Sequence, residues 1–187
     1  MKKLIQSIEN FQSDTPQEIA DKEAMLRFMK GNPDCLLRSN TIAHFSASAW
    51  VLNQSHDKAL MIYHNLYNSF AWTGGHADGN ANLKELALQE LYEETGIKNA
   101  KFMSEDIFSL EILTVDGHIK NGAYVPSHLH LNVTYLLEAD ENQVLSIKAD
   151  ENSAVAWIAL EDLKHKVSEP WMYANIYQKL LNKLQAK

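Results

Sequence analysis

Three carboxylates crowd one short stretch of the chain, Gln89-Glu90-Leu91-Tyr92-Glu93-Glu94-Thr95-Gly96-Ile97. On a helix, residues three and four apart are neighbours, so Glu90 faces both Glu93 and Glu94. The three charges repel one another and sit at the negative end of the helix dipole. A hard dication neutralises such a group, and carboxylate oxygens suit Mg²⁺ or Mn²⁺. Just ahead lies Gly74-Gly75-His76-Ala77-Asp78-Gly79, and four of the seven glycines fall between residues 74 and 97. Glycine lets the backbone approach closely, so carbonyl oxygens ahead of the helix could reach the same ion. The competing reading is a solvated acidic helix face, which E-x-x-E-E alone would favour. Spacing to the glycine pair tips the balance toward a metal site.

Histidines and aromatics supply the other chemistry. His128 and His130 are two apart on a candidate strand and share a face, either toward a substrate phosphate or as a polar outer surface. His76 follows the glycine pair and could hydrogen-bond a phosphate or only cap the loop. Trp72 and Tyr124 offer stacking surfaces for a base or ring, with a core role at least as natural for Trp72. His44, His56, His64, His118 and His165 show no ligand spacing and receive no role, and Cys35 reads as a packing residue.

The elements that must position these groups follow from periodicity. Leu4, Ile5, Ile8 and Phe11 fall at helical spacing. Thr15-Pro16-Gln17-Glu18 reads as a capping box opening a second helix, with Ala20, Ala24, Met25, Phe28 and Met29 as its stripe and Gly31 and Pro33 as its stop. From His44 the period shortens. Phe45–Leu52 and Ala59–His64 form a hairpin across a polar turn. The acidic helix spans Leu83–Thr95, capped by Asn82 and ended by Gly96 in the left-handed conformation. Strands Ile107–Val115 and His128–Leu137 follow, joined by a loop holding Asp116-Gly117 and Asn121-Gly122. A strand at Ala154–Ile158 leads to a helix near Leu160–Lys166. Pro170 opens a last helix that buries Trp171, Ile176, Leu180, Leu181 and Leu184. The expectation is an α/β (α+β) sandwich of helices on a mixed sheet, with residues 1–40 as a helical extension and residues 41–187 as the main domain.

Bulk properties limit the function classes. The 187 residues suit one well-buried domain, and 45% hydrophobic with 22% charged content is ordinary for a globular chain. A net charge of −7 argues against nucleic acid or an anionic membrane as the main partner. A small phosphorylated substrate remains compatible, because a bound dication supplies local positive charge. A single cysteine fits a reducing compartment. Polar residues interrupt any apolar leader core after Met1-Lys2-Lys3, and no run approaches the ~20 apolar residues of a span. A cytoplasmic protein is expected, with no membrane or nucleic-acid partner and room for a homodimer.

With these residues in view, the chain resembles the Nudix hydrolases, whose signature reads G-x5-E-x7-R-E-U-x-E-E-x-G-U. Gly75, Glu90, Leu91, Glu93, Glu94, Gly96 and Ile97 match in register, whereas the first acid is Ala81 and the arginine is Gln89. The likeness extends over about residues 43–166, through Gly74-Gly75-His76-Ala77-Asp78-Gly79, Ser127-His128-Leu129-His130-Leu131 and Glu151 with Trp157. The resemblance implies a Nudix-like α/β/α sandwich and cleavage of a diphosphate linkage in a nucleoside diphosphate joined to another group. It further implies Glu90 and Glu94 as metal ligands, Glu93 as ligand or base, the Gly74 carbonyl in the inner shell and Glu151 as a distal base. The acid and arginine of the signature usually form a pair, and here both are gone, so neither is left stranded. Gln89 can still donate a hydrogen bond, though not a bidentate charged one.

Two other readings compete. Loss of that pair fits a non-catalytic nucleotide-binding module of the same fold. A diphosphate isomerase of the fold would need an active-site cysteine in the sheet domain, and Cys35 lies in the N-terminal section.

Overall fold

The computed structural model describes residues 1–13, 15–120 and 122–185. The α-helices among the described residues are α1 (Lys2–Asn10), α2 (Pro16–Gly31), α3 (Leu83–Thr95), α4 (Leu163–Lys166), α5 (Pro170–Met172) and α6 (Gln178–Gln185). The strands are β1 (Ala43–Leu52), β2 (Lys58–His64), β3 (Ser69–Ala71), β4 (Thr73–His76), β5 (Ala100–Phe102), β6 (Ser109–Val115), β7 (His118–Lys120), β8 (Ala123–Val125), β9 (His128–Ala139) and β10 (Asn152–Ala159). Eight strands share one sheet in the order β10-β2-β1-β9-β5, with β3 on β2, β4 on β1 and β6 on β9. β7 and β8 form a separate hairpin. The α+β class read from the sequence is what the chain adopts. It folds as two compact units, each drawn from three stretches: residues 1–48, 74–87 and 104–135, and residues 49–73, 88–103 and 136 onward.

In the first unit, α2 starts where the capping pattern places it. The Thr15 side chain accepts the Glu18 amide and Pro16 takes the first helical position. The Glu18 carboxylate is buried and also accepts from Ser109 Oγ at 2.6 Å. Asp21 accepts the Ile112 amide at 3.0 Å, and Gln17 donates to the Leu110 carbonyl at 3.3 Å. β6 pairs on its other side with β9, from Ser109↔Thr134 to Val115↔His128. Side chains of α2 thus cover the edge of β6, which would otherwise present unpaired backbone groups. Beneath, Glu111 is fully buried but accepts from Asn132 (3.1 Å) and Thr134 (2.8 Å), and Asn132 Oδ1 accepts from Ser46 and Ser48, each at 3.0 Å. Buried polar groups satisfied in this way fix the strand register.

The second unit holds β10 against β2, Ala154↔Tyr63 through Ala159↔Lys58, with an irregularity between Asn152 and Ala154. Its core contains Trp50, Trp72 and Tyr177. The Tyr177 ring stacks on Trp50 at 5.5 Å and meets Trp72 edge-on at 5.4 Å. The last helix departs from the sequence reading. Trp171 is 55% exposed, and Leu181 and Leu184 are half-buried, whereas Ile176, Tyr177 and Leu180 are buried. The cause is a π-turn at Tyr173–Tyr177 between α5 and α6. One extra residue per turn rotates the buried face away from the register counted from Trp171.

Other differences concern short elements. β3, β4 and β5 were not foreseen, and the expected loop after Val115 contains the β7–β8 hairpin, with Gly122 at φ +79°. Asn121 lies outside the described residues. β6 starts at Ser109 instead of Ile107, although the Phe108 amide already bonds the Thr134 carbonyl. Among the described residues, no helix is long and apolar enough to cross a membrane.

Candidate active site

α3 has the bounds read from the sequence, and its buried residues are Leu83, Leu86, Ala87, Leu91, Glu94 and Thr95. Glu94 therefore falls on the apolar stripe, 2% exposed, while Glu90 is half-buried and Glu93 exposed. Asn82 and Glu85 form the reciprocal start: Asn82 Nδ2 donates to Glu85 at 2.8 Å and the Glu85 amide reaches Asn82 Oδ1 at 3.4 Å. At the far end Gly96 takes φ +74°, and a Cβ there would meet Ser146 Oγ at 2.2 Å.

The end of α3 is tied down by the segment that follows β9. The Glu94 carbonyl accepts Asn152 Nδ2 at 3.0 Å, and the Thr95 carbonyl accepts the Ser146 amide at 2.8 Å. Gln143 Oε1 receives the Lys98 and Asn99 amides at 3.1 and 3.0 Å. Carbonyls that a helix end leaves orphaned are thereby satisfied. The same segment carries Lys148 and Glu151 to the carboxylates: Lys148 Nζ lies 2.9 Å from Glu151 and 3.5 Å from Glu93. Burial pulls the Lys148 pKa down, but the bond to Glu151 and the charges of Glu151, Glu90 and Glu93 outweigh it and hold it above the ordinary lysine value. Gln89 Nε2 donates to Glu93 at 2.7 Å. Glu93 and Glu151 thus already share one cationic group, and their carboxylate oxygens are the donors that suit a hard dication such as Mg²⁺ or Mn²⁺.

Four histidines converge in the first unit. His44 stands on β1, His76 ends β4, and His128 and His130 lie on β9. The Ala77 amide bonds the Phe45 carbonyl at 2.9 Å and the Leu129 amide bonds that of Ile42 at 3.0 Å, and the other three rings lie with centroids 4.8–5.2 Å from that of His44. His130 Nε2 lies 3.1 Å from His76 Nε2 and 3.2 Å from His128 Nε2. His128 and His130 do share a face, as their spacing requires. Burial is the main force lowering the His76 pKa to about 3 and that of His130 to about 2, with neighbouring positive groups adding to it. His44, given no role from sequence, is 3% exposed and its pKa is also lowered, chiefly by burial.

Other candidates fall elsewhere. Trp72, read as a stacking surface or a core residue, is 8% exposed with its ring edge-on to Tyr177, the placement of a core residue. Tyr124 is 68% exposed on β8. Gly74 lies in the first unit, where a Cβ would come within 2.5 Å of the Ala47 carbonyl oxygen and 2.6 Å of Ser48 Oγ. Only glycine fits there. Asp78, at φ 46°, is fastened by Arg38, whose Nε lies 2.7 Å from its carboxylate. Lys148, Asn152 and His44 were missed, because nothing local marks a lysine in a polar loop or one histidine at a strand start. The shared strand β9 was the one signal that linked two of the histidines.

No family model matches the chain, and no match was found among the curated proteins. Solved structures are similar to it. A hydrolase of the NUDIX family from Clostridium perfringens is 22% identical, covering 76% of this chain and 97% of its own, with a TM-score of 0.52. An Ap4A hydrolase from C. elegans is 18% identical over 76% of this chain and 95% of its own, with a TM-score of 0.53. The NUDIX domain of Shewanella oneidensis NrtR, solved with ADP ribose, is 17% identical over 75% and 87%, with a TM-score of 0.50.

Proposed function

We propose, with the Nudix hydrolase fold that the chain shares with these structures as premise, that it is a divalent-metal-dependent hydrolase. It would cleave the diphosphate linkage of a nucleoside diphosphate joined to another group. The observation that carries this reading is Lys148, which bonds Glu151 at 2.9 Å and reaches Glu93 at 3.5 Å at the end of α3, with Glu90 close enough for its charge to act on the same amine. Glu90 and Glu94 would hold Mg²⁺ or Mn²⁺, with Glu93 as a further ligand. Bound there, such an ion polarises a phosphoryl oxygen and acidifies a water. Glu151, fixed by Lys148, is the group to accept the water's proton. Glu94, almost wholly buried, lies in a setting where a charge acts more strongly than in water.

Gln89 supports an intact site. Its amide holds Glu93 by a single hydrogen bond, a neutral substitute for the missing arginine. The single cysteine suits a cytoplasmic setting.

The test is a turnover screen with and without Mg²⁺ or Mn²⁺. Ap4A and ADP-ribose head the panel because one similar structure is of an Ap4A hydrolase and another was solved with ADP ribose, and nucleotide sugars complete it. Metal-dependent release of a nucleoside phosphate is expected. The absence of Ala81's acid and Gln89's arginine favours a second reading, a nucleotide-binding module without chemistry. Thermal stabilisation by the ligands with no hydrolysis would select it.

A further inference from the structure

We propose that His44, His76, His128 and His130 form a tetrahedral site for a late first-row dication, Zn²⁺ foremost, separate from the carboxylates of α3. One ligand nitrogen from each ring lies within 4.8 Å of those of the other three. Ligands at the Zn–N distance of about 2.0–2.1 Å in a tetrahedron stand roughly 3.3–3.4 Å apart. The Nε2 atoms of His130 and its two neighbours are 3.1 and 3.2 Å apart. The cluster is therefore close to a coordination shell before any adjustment.

Proton placement points the same way. His44 Nδ1 lies 3.0 Å from the Asn40 carbonyl oxygen and His128 Nδ1 lies 2.8 Å from that of Pro126. A carbonyl can only accept, so both Nδ1 atoms carry hydrogen and both Nε2 atoms turn lone pairs inward. This is the outer-shell arrangement that orients histidine ligands. His44 Nε2 is buried and has no hydrogen-bond partner among the described residues. A buried, unpartnered acceptor on a ring packed against three other imidazoles is costly unless something electron-poor sits among them. One proton on His130 Nε2 can answer its two neighbours, but it leaves His44 unanswered. A dication answers all four.

The ligand type selects the metal. Four neutral imidazoles suit Zn²⁺, Cu²⁺ or Ni²⁺, and they suit Mg²⁺ poorly. The carboxylates of α3 have the opposite preference. With four nitrogens and no open position, the shell is of the structural kind and would tie β1, β4 and β9 of the first unit together. The strained Asp78 that follows His76, fastened by Arg38, holds β4's end beside the cluster.

The experiment uses the full chain without an affinity tag of histidines, stripped with a chelator and titrated with Zn²⁺. Expected are one Zn²⁺ per chain, a raised melting temperature, and Nε2 nitrogen NMR shifts confined to His44, His76, His128 and His130. Co²⁺ in its place should give the intense visible absorption of a tetrahedral ion. His130→Asn should lose the absorption. His165→Asn, remote in sequence and exposed, should keep it. Should His130→Asn fail to fold, the NMR shifts of the unaltered chain still decide. No Zn²⁺ bound, a pale octahedral Co²⁺ spectrum, or shifts at His56, His64, His118 or His165 would each overturn the proposal. None of these readouts depends on hydrolysis, so the site stands or falls apart from the activity proposed above.

Discussion

At the scale of single residues, the two departures from the signature can be tested together. Ala81 lines a cavity of about 820 Å³, together with Leu4, Phe11 and Tyr135, so a glutamate there meets space. Gln89 already holds Glu93. Ala81→Glu combined with Gln89→Arg should change the steady-state rate less than tenfold. A gain of several orders of magnitude would show that the present site is crippled. The carboxylates of α3 were legible because helix geometry turns close spacing in sequence into closeness in space. Lys148 was not, because 54 residues separate it from Glu94 and only tertiary structure brings it to Glu93. The same reason hid His44: its partners come from two other strands, and sequence spacing showed only His128 and His130 as a pair.

At the scale of elements, α3 needs the segment after β9 as much as its own sequence. Asn152 is fully buried, donates to the Glu94 carbonyl and accepts the Lys148 amide at 3.3 Å. Removing its amide takes this donor from the Glu94 carbonyl and this acceptor from the Lys148 amide. Asn152→Ala should cost roughly 1–3 kcal/mol in denaturant unfolding. It should also lower kcat more than it raises KM, because Glu94 and Lys148 lose their common tether. An unchanged kcat would mean that the tether serves stability alone. The α3 bounds were readable from Asn82 and Gly96, and the α2 start from Thr15-Pro16. The short strands β3 and β5, three residues each, were not. Pairing partners create such strands, and no periodicity fits in three residues. The π-turn in the last helix, at Tyr173–Tyr177, likewise leaves no mark that a count from Trp171 could detect.

At the scale of the whole molecule, stability should depend on pH through the histidine cluster. An unfolded histidine titrates near about 6.5, whereas folded His76 and His130 do so near about 3 and about 2, and folded His44 is lowered in the same direction. Below pH ~6.5 the unfolded chain therefore binds more protons than the folded one. The stabilisation is fully present above that pH and is lost as pH falls toward the folded values. For chelator-treated protein, the urea midpoint should drop steadily from pH 7 to pH 5. A flat midpoint would show that the rings are not buried as described. In the proposed function, the buried and half-buried carboxylates at the end of α3 would hold a divalent metal for diphosphate cleavage. The most direct test is Mn²⁺-dependent turnover of Glu94→Gln beside the wild-type chain, on whichever substrate the screen yields, with melting curves to show that both are folded. The variant should lose more than the roughly 10–100-fold typical of a mere outer partner of a metal, and added Mn²⁺ should not restore it. Wild-type turnover with an unchanged Mn²⁺ requirement would contradict the assignment.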